Sequence, residues 1–100
     1  MKDLRLTRRA KQDLAQIERS TIETWGADQG TIYLDALRAS IFRLLRFPES
    51  GAAFDHPISV LRRHVIASHV AFYRSDANGV LVLRVLHGAM DPARRLRVKE

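Results

Sequence analysis

Residues 68–92 of the chain read SHVAFYRSDANGVLVLRVLHGAMDP and predict a β-hairpin. Two runs rich in β-branched and aromatic residues, 69–74 and 80–87, lie on either side of the tetrapeptide DANG at 76–79. Asn78 and Gly79 both tolerate positive φ, which the tight turn between two antiparallel strands requires. We therefore take this hairpin as the centre of the fold and interpret the rest of the chain outward from it.

The second strand of the hairpin, VLVLRVLH, is apolar on both faces except for Arg84, and it ends at His87. A strand that is covered on both faces belongs inside a sheet or under helices. Burying an unpaired arginine is costly, so Arg84 must reach an acceptor. It either pairs with a helix carboxylate or extends to the open face of the sheet and meets a partner. The candidate carboxylates are Asp13, Glu18 and Asp35.

The N-terminal half predicts a short strand and a helical hairpin. Residues 4–6 alternate, and Thr7 is a good N-cap for the helix that follows. One face of this first helix, which Gly26 ends, carries Ala10, Leu14, Ile17, Thr21 and Trp25, with Trp25 as the lid of the core. A second helix has Asp28 in its first turn and stops before Pro48. Its apolar positions are Tyr33, Leu34, Leu37, Ile41, Leu44 and Leu45.

The connection between the helices is so short that they must pack antiparallel and share one face of the sheet. Residues 48–57 have two prolines, a glycine and small residues, which indicates a loop. Residues 60–66 predict another strand before the hairpin. The order β-α-α-β-β-β defines an α+β fold, a helical hairpin on a mostly antiparallel sheet, in a single domain of residues 1–100.

The charge of the chain indicates an anionic partner. Its formal net charge is +6, and three of the seventeen basic residues are lysines, so arginine dominates. Between residues 59 and 90 the only acid is Asp76. A basic sheet half suits nucleic acid or an acidic protein segment, although the same charge also serves as a solubilising surface. The absence of an apolar leader or membrane-length run predicts a cytoplasmic protein, and the absence of cysteine removes thiolate chemistry.

Several motifs, in order, make the chain resemble a known family. They are LRLTRRAKQDL at 4–14, Trp25-Gly26 with Gln29 and Tyr33, Pro48 and Gly51, Arg62-Arg63, SHVAFYR at 68–74, and RVLHGAMDP at 84–92. Together they resemble the ParE toxins of the RelE/ParE toxin–antitoxin superfamily over nearly the whole chain. That family has the same β-α-α-β-β-β order.

The resemblance implies the toxin of a type II toxin–antitoxin system, neutralised in a hetero-oligomer by a ParD-like antitoxin. Such antitoxins wrap the toxin with an acidic, amphipathic C-terminal segment. ParE-type toxins inhibit DNA gyrase by binding, without chemistry of their own. RelE-like toxins instead cut mRNA on the ribosome, and this is the alternative function, since one scaffold hosts both activities.

The sequence predicts no catalytic residues, no metal and no cofactor. Cleavage of RNA needs acid–base groups beside cations on the phosphate. Candidate acid–base groups are His64, His69 and His87, but residues 59–90 have no lysine and no carboxylate on a strand. The C-terminal RRLRVKE also lacks the His or Tyr often found at the end of such nucleases. The three histidines have no zinc spacing motif, and His69 and His87 are better interpreted as structural rings bonded to neighbouring carbonyls.

The resemblance and the charge pattern together predict the residues that bind antitoxin or target. These are Arg62, Arg63, Arg74, Arg84, His87, Met90, Arg94, Arg95 and Leu96. The basic segment at 89–100 is either the gyrase-facing surface that the resemblance suggests or a frayed tail. If Leu34, Leu45 and Phe47 extend beyond the core, they offer an apolar groove for the antitoxin helix.

Overall fold

The structure, a computed structural model, describes residues 2–54 and 61–88, with residue 54 described by its backbone alone. Strand β1 is followed by two helices, a 3-10 turn at Arg43–Leu45 and four more strands. The bounds are β1 Asp3–Leu6, α1 Arg8–Trp25, α2 Ala27–Phe42, β2 Ala52–Phe54, β3 Leu61–Ile66, β4 His69–Asp76 and β5 Gly79–His87. The predicted α+β class is confirmed. Neither helix in the described ranges is long and apolar enough to cross a lipid bilayer.

The strands form one sheet in the order β1-β5-β4-β3-β2, so the predicted hairpin β4–β5 lies at its centre. Strand β1 runs parallel to β5, and the other neighbours are antiparallel. The turn lies at the predicted residues, because Asp76 is paired with Gly79 and its carboxylate accepts the Asn78 N–H at 2.8 Å. Positive φ was expected at both Asn78 and Gly79, and only Gly79 has it. Gly79 has φ +127°, and a Cβ there would overlap the backbone of Asp3. Glycine is therefore required both for the turn and for the close approach of β1.

The prediction of a loop over residues 48–57 is wrong in one part, because β2 lies within it. Ala52 and Ala53 pair with Arg63 and Arg62 of β3. A strand of three residues, two of them alanine, carries neither alternation nor strong β propensity. Its conformation depends on hydrogen bonds to β3, which its local sequence does not reveal.

The helical hairpin packs on one face of the sheet, as predicted. From the helices, the core contains Ala10, Leu14, Ile17, Leu34, Leu37 and Ile41; from the sheet it contains Ala71, Tyr73, Val80, Val82 and Val85. A second cluster of Leu61, Phe72 and Leu86 lies on the opposite face. The prediction that β5 is apolar on both faces is thus confirmed, and the sheet separates two apolar layers.

A β-bulge at Leu83 explains why β5 contributes core residues both before and after this position. Tyr73 is opposite Val82 whereas Phe72 is opposite Arg84, so Leu83 is the extra residue. The inserted residue shifts the alternation by one position, which returns Val85 to the helix face. Thr7 closes the same region, since its hydroxyl caps α1 through the Ala10 N–H and donates to the Leu83 carbonyl at 2.8 Å.

The expectation that Trp25 covers the core is wrong, because its side chain is 70% exposed. Gly26 ends α1 with φ +93°, as predicted, and α2 begins at once. The two helices cross so closely that a Cβ on Gly30 would lie 2.6 Å from Cγ1 of Ile22. This crossing leaves no room for an indole between the helices, and Trp25 lies at the tip of the helical hairpin instead.

Candidate functional site

Arg84 is bound to Asp13 of α1, which decides between the two interpretations of this residue. Its Nε donates to Oδ2 at 2.8 Å and its Nη2 to Oδ1 at 3.0 Å, while the Val85 N–H also donates to Oδ2 at 2.9 Å. Strand β1 ends opposite Val82, whereas β5 continues to His87. The Asp13 carboxylate therefore accepts the backbone N–H of Val85 at the edge of β5, beyond the end of β1. We call the group of Asp13, Arg84 and Val85 the Asp13 clamp. The role of Arg84 in partner binding stays a prediction.

Arg62 also has an intramolecular role. Its Nη1 donates to the carbonyl oxygens of Gly51 at 2.8 Å and Glu49 at 3.3 Å. The fully buried Tyr73 holds the same segment, since its hydroxyl donates to the Pro48 carbonyl at 2.7 Å and accepts the Gly51 N–H at 3.0 Å. Arg62 and Tyr73 are opposite each other in the β3–β4 register. Arg62 thus anchors the segment that leads into β2, and its role in partner binding stays a prediction.

Arg63 and Arg74 lie together on the face of the sheet opposite the helices. In the register Arg63 is opposite Phe72 and Arg74 is two residues further along β4, so both side chains are on the Phe72 side. Both are exposed, and Val65 on the same face is 66% exposed. We call the surface of Arg63, Val65 and Arg74 the arginine face. The acid nearest in sequence, Asp76, is 3.7 Å from the guanidinium of Arg5.

An apolar groove lies on another side of the molecule, between β1 and the two helices. Its volume is about 430 Å³. It is lined by Leu4, Leu6, Leu14, Arg38, Ala39, Ile41 and Phe42, and the Phe42 side chain is 62% exposed. The groove expected from Leu34, Leu45 and Phe47 does not form, because Leu34 is buried in the core and Leu45 packs against it. Phe47 alone of these three is an exposed side chain.

The histidines at the ends of β4 and β5 line a polar cleft of about 440 Å³ between the sheet and the helix tips. The Tyr33 hydroxyl lies 2.6 Å from His69 Nδ1, and the rings of His69 and His87 meet edge to face at 5.5 Å between centroids. The other lining residues are Ser20, Thr21, Thr24, Trp25, Gln29 and Ser68. The expected carbonyl partner of His69 is thus replaced by a hydroxyl from α2, which no local spacing signals.

Burial sets the ionisation of this cleft. It lowers the pKa of His69 below its ordinary value, and the neighbouring His87 acts in the same direction. Burial raises the pKa of Tyr33, which a hydrogen bond from the backbone of Ser68 partly offsets. Both groups are therefore neutral at pH 7.

His64 and Ser40 lie as close together as a catalytic nucleophile and its general base, but Ser40 is not accessible to a substrate. Nε2 of His64 lies 2.8 Å from Oγ of Ser40, and Arg43 donates to the same oxygen at 3.4 Å. Ser40 is only 8% exposed on the inner side of α2, so a substrate cannot reach it. Burial, and then the charge of Arg43, lower the pKa of His64. The pair joins α2 to β3.

The candidate acid–base groups and the exposed sheet arginines are separated by the sheet in the described part of the chain. His64, His69 and His87 are on the helix face of the sheet, whereas the exposed Arg63 and Arg74 are on the other. Within residues 2–54 and 61–88, no three His, Asp or Glu side chains are grouped to hold a metal ion. The predicted contacts Met90, Arg94, Arg95 and Leu96 lie outside the described residues.

Comparison with known proteins identifies the family. The model of the ParE toxin of the type II toxin–antitoxin system parDE matches residues 4–92. Toxin ParE1 of Caulobacter vibrioides is 37% identical over 91 residues, which are 91% of this chain and 94% of that protein.

Solved structures share the fold. A chromosomal ParDE toxin–antitoxin system from P. aeruginosa superposes with a TM-score of 0.74 at 19% identity, over 87% of this chain and 96% of that one. The toxin–antitoxin complex RelBE2 from Mycobacterium tuberculosis gives 0.64 at 22% identity, over 86% and 96%. The resemblance inferred from the motifs is confirmed, and the chain belongs to the ParE toxin family of type II toxin–antitoxin systems.

Proposed function

We propose that this toxin inhibits DNA gyrase by binding it, and that a ParD-like antitoxin neutralises it in a hetero-oligomer. The observation that carries the non-enzymatic half is the separation of the exposed sheet arginines, Arg63 and Arg74, from the histidines. A phosphate held by Arg63 and Arg74 is on the opposite side of the sheet from the three described histidines. Proton transfer needs groups within about 3 Å of the reacting atoms, so this arrangement does not support RNA cleavage.

The other arginines of the sheet strands are engaged in intramolecular contacts, so they do not provide a phosphate-binding cation beside the histidines. Arg62 is bonded to backbone carbonyls, and Arg84 makes two hydrogen bonds to Asp13. Arg84 lines a cleft with His69 and His87, but it does so bound to Asp13, and Arg5 of β1 lies 3.7 Å from Asp76. The geometry therefore favours a binding function over the RelE-like alternative.

The antitoxin is expected to use two surfaces. The apolar groove beside Phe42 accepts the apolar side of an amphipathic helix, and Arg38 at its wall meets acidic residues of that helix. The arginine face accepts an acidic, extended segment that continues around the molecule. The net charge of +6 speeds capture of such a partner. The solved relatives are toxin–antitoxin complexes, which supports this pairing.

The target is tested by adding purified toxin to gyrase in a DNA supercoiling assay, together with transcript-end mapping after expression in cells. We expect supercoiling to be inhibited while transcripts stay intact. Codon-phased mRNA cuts with normal supercoiling would instead establish the RelE-like activity. The predicted target contacts are tested by an Arg94→Ala/Arg95→Ala double variant, which should lose gyrase inhibition while it still binds antitoxin. Lys99→Ala is its control.

The antitoxin surface is tested by calorimetric titration with the purified cognate antitoxin. Phe42→Ala should weaken binding at least tenfold, as for a well-packed aromatic contact at an interface. Ile32→Ala is the matched control, because Ile32 is 61% exposed, Phe42 is 62% exposed, and Ile32 does not line the groove. Equal effects of the two substitutions would show that the groove is not the docking site.

A further inference from the structure

The polar cleft lined by Trp25, Tyr33, His69 and His87 is a site that neither the antitoxin proposal nor the gyrase proposal uses. It shares no residue with the apolar groove or with the arginine face. Its volume of about 440 Å³ lies within the range of small-molecule sites, about 300–1,000 Å³. The tip of the helical hairpin forms one wall, and the ends of β4 and β5 form the other. The cleft is therefore large enough for a small ligand.

Aromatic rings stand on both walls of the polar cleft. On the helix wall Trp25, the only tryptophan of the chain, is 70% exposed. Toward the sheet wall, the Tyr33 hydroxyl lies 2.6 Å from Nδ1 of His69, and their ring centroids are 5.6 Å apart. An exposed indole is a platform on which a flat heterocycle stacks, and such stacking tolerates any ring that has a π face. The walls therefore suit a planar ligand.

The hydrogen-bonding groups of the helix wall are available to a ligand. The side chains of Thr24 and Gln29 make no hydrogen bond to another residue in the described part of the chain. Thr21 donates its hydroxyl to the Ile17 carbonyl at 2.6 Å, which leaves the hydroxyl oxygen able to accept. The Gln29 amide presents a donor and an acceptor side by side. This pair matches the adjacent amino donor and ring-nitrogen acceptor on the edge of adenine.

The charges around the polar cleft favour a neutral ligand over a phosphate. Its described lining contributes hydroxyls, an amide and aromatic rings, with no lysine, arginine or carboxylate. Arg84 lies in the adjoining cleft as part of the Asp13 clamp, and Arg19 is hydrogen-bonded within α1. The acids Glu23 and Asp28, both exposed, lie close to Trp25 in the sequence and disfavour an anion at this tip. Burial lowers the pKa of His69, so that ring is neutral at pH 7.

We propose that the polar cleft binds a purine nucleoside such as adenosine, with the base stacked on Trp25 and its edge bonded to Gln29. Stacking supplies most of the affinity, since a purine is the larger of the two base types and buries more ring area. The Gln29 amide supplies the preference for adenine. The hydroxyl side chains of the helix wall bond the ribose. A phosphate on the ribose adds no affinity, because no cation of the described lining meets it.

The site is tested by titrating the full-length protein with adenosine, followed by tryptophan fluorescence and by amide NMR shifts. Because Trp25 is the only tryptophan, any quenching reports on this cleft. Adenosine should bind with a Kd below about 1 mM, as about 0.3 kcal/mol per non-hydrogen atom gives, and should shift the amides of residues 20–29 and of His69. Adenosine monophosphate should bind no more tightly, and ribose should not bind. No saturable binding of adenosine, equal binding of ribose, or tighter binding of the monophosphate would overturn the proposal.

Variants at exposed positions place the ligand within the cleft, with NMR titration as the measurement. Trp25→Ala should weaken adenosine binding at least about fivefold, the lower end of what the loss of a base-stacking ring causes, whereas Trp25→Phe keeps a ring and should retain most of the affinity. Gln29→Ala should weaken adenosine binding at least about threefold, and should weaken purine riboside, which lacks the amino group, by less.

Phe47→Ala is the matched control for the stacking ring. Phe47 is an aromatic side chain that is 56% exposed and does not line the polar cleft, so its removal should leave adenosine binding unchanged. Undiminished binding by Trp25→Ala, or an equal loss in Phe47→Ala, would refute the placement of the base on Trp25.

Discussion

Replacing Asp13 with alanine removes the acceptor for three hydrogen bonds at once. Two come from Arg84 and one from the Val85 N–H. The Arg84 and Asp13 side chains are 16% and 14% exposed, so water replaces these bonds poorly. Removing one partner of a buried ion pair costs about 3–5 kcal/mol. Since the pair is not fully buried, we expect Asp13→Ala to lower the free energy of unfolding by about 3 kcal/mol.

The double-mutant cycle separates the pair from its surroundings. Arg84→Met keeps the apolar stem and leaves Asp13 bonded to Val85, so its expected cost is about 2 kcal/mol. The double variant leaves no unpaired charge and should lose about 3 kcal/mol rather than the sum of about 5, which is a coupling of about 2 kcal/mol. Urea denaturation followed by circular dichroism measures each value. Asp13→Ala should also lower the melting temperature by more than about 10 °C, because 1 kcal/mol corresponds to about 4–8 °C in a domain of this size.

The pair of Arg5 and Asp76 provides the control within the same molecule. It spans 3.7 Å, and its side chains are 45% and 48% exposed. Arg5→Met should therefore cost less than about 1 kcal/mol, and its effect should fade at high salt. A coupling below about 0.5 kcal/mol for Asp13 and Arg84 would refute the reasoning, because the clamp would then behave like a surface pair.

Three further perturbations test the fold. Tyr73→Phe should cost about 1–3 kcal/mol in urea denaturation because it leaves the buried Gly51 N–H without its acceptor; a loss below about 0.5 kcal/mol would contradict this role. Gly79→Ala should cost more than about 2 kcal/mol, since φ is +127° and the new Cβ overlaps the Asp3 backbone; an unchanged melting temperature would show that β1 moves aside freely. Burial holds the pKa of His64 below its ordinary value, so the unfolded chain binds more protons and stability is complete above about pH 6.5 and declines below it. The decline should be shallower in His64→Gln, and parallel pH profiles would contradict the assignment.

The sequence predicted best where the signal is local. The turn residues Asp76–Gly79 between two strand-like runs predicted the central hairpin, and Gly79 supplies the positive φ that the turn uses. Thr7 and Gly26 mark the two ends of α1 because a cap is a property of the residue at the helix boundary. The motifs at 4–14, 68–74 and 84–92 carried the family resemblance, since they required only residue identity and order.

The face on which each candidate side chain lies could not be predicted from the sequence, because it depends on how the elements are arranged relative to one another. The arginines at 62 and 63 are adjacent in sequence, yet strand alternation and the β3–β4 register place them on opposite faces. The groove was expected beside Leu34 and lies beside Phe42 instead. The rotation of α2 about its axis decides which of its residues face the core, and it buries Leu34. Trp25 continues the apolar period of α1 but remains exposed, because the close crossing at Gly30 excludes it.

The sequence by itself determined the central hairpin, both ends of α1, the α+β order and the ParE family, whereas α2 was expected to continue to Phe47 and ends at Phe42 with a 3-10 turn after it. Only the tertiary structure decided that Asp13, rather than Glu18 or Asp35, binds Arg84, and that Tyr33 reaches His69. It also decided that a bulge at Leu83 turns Val85 toward the core and that Ala52–Phe54 forms a strand. The physical reason is the range of the forces involved. Turn and cap preferences act between residues close in sequence, whereas hydrogen-bond partners 36 or 71 residues apart meet only after the layers have packed.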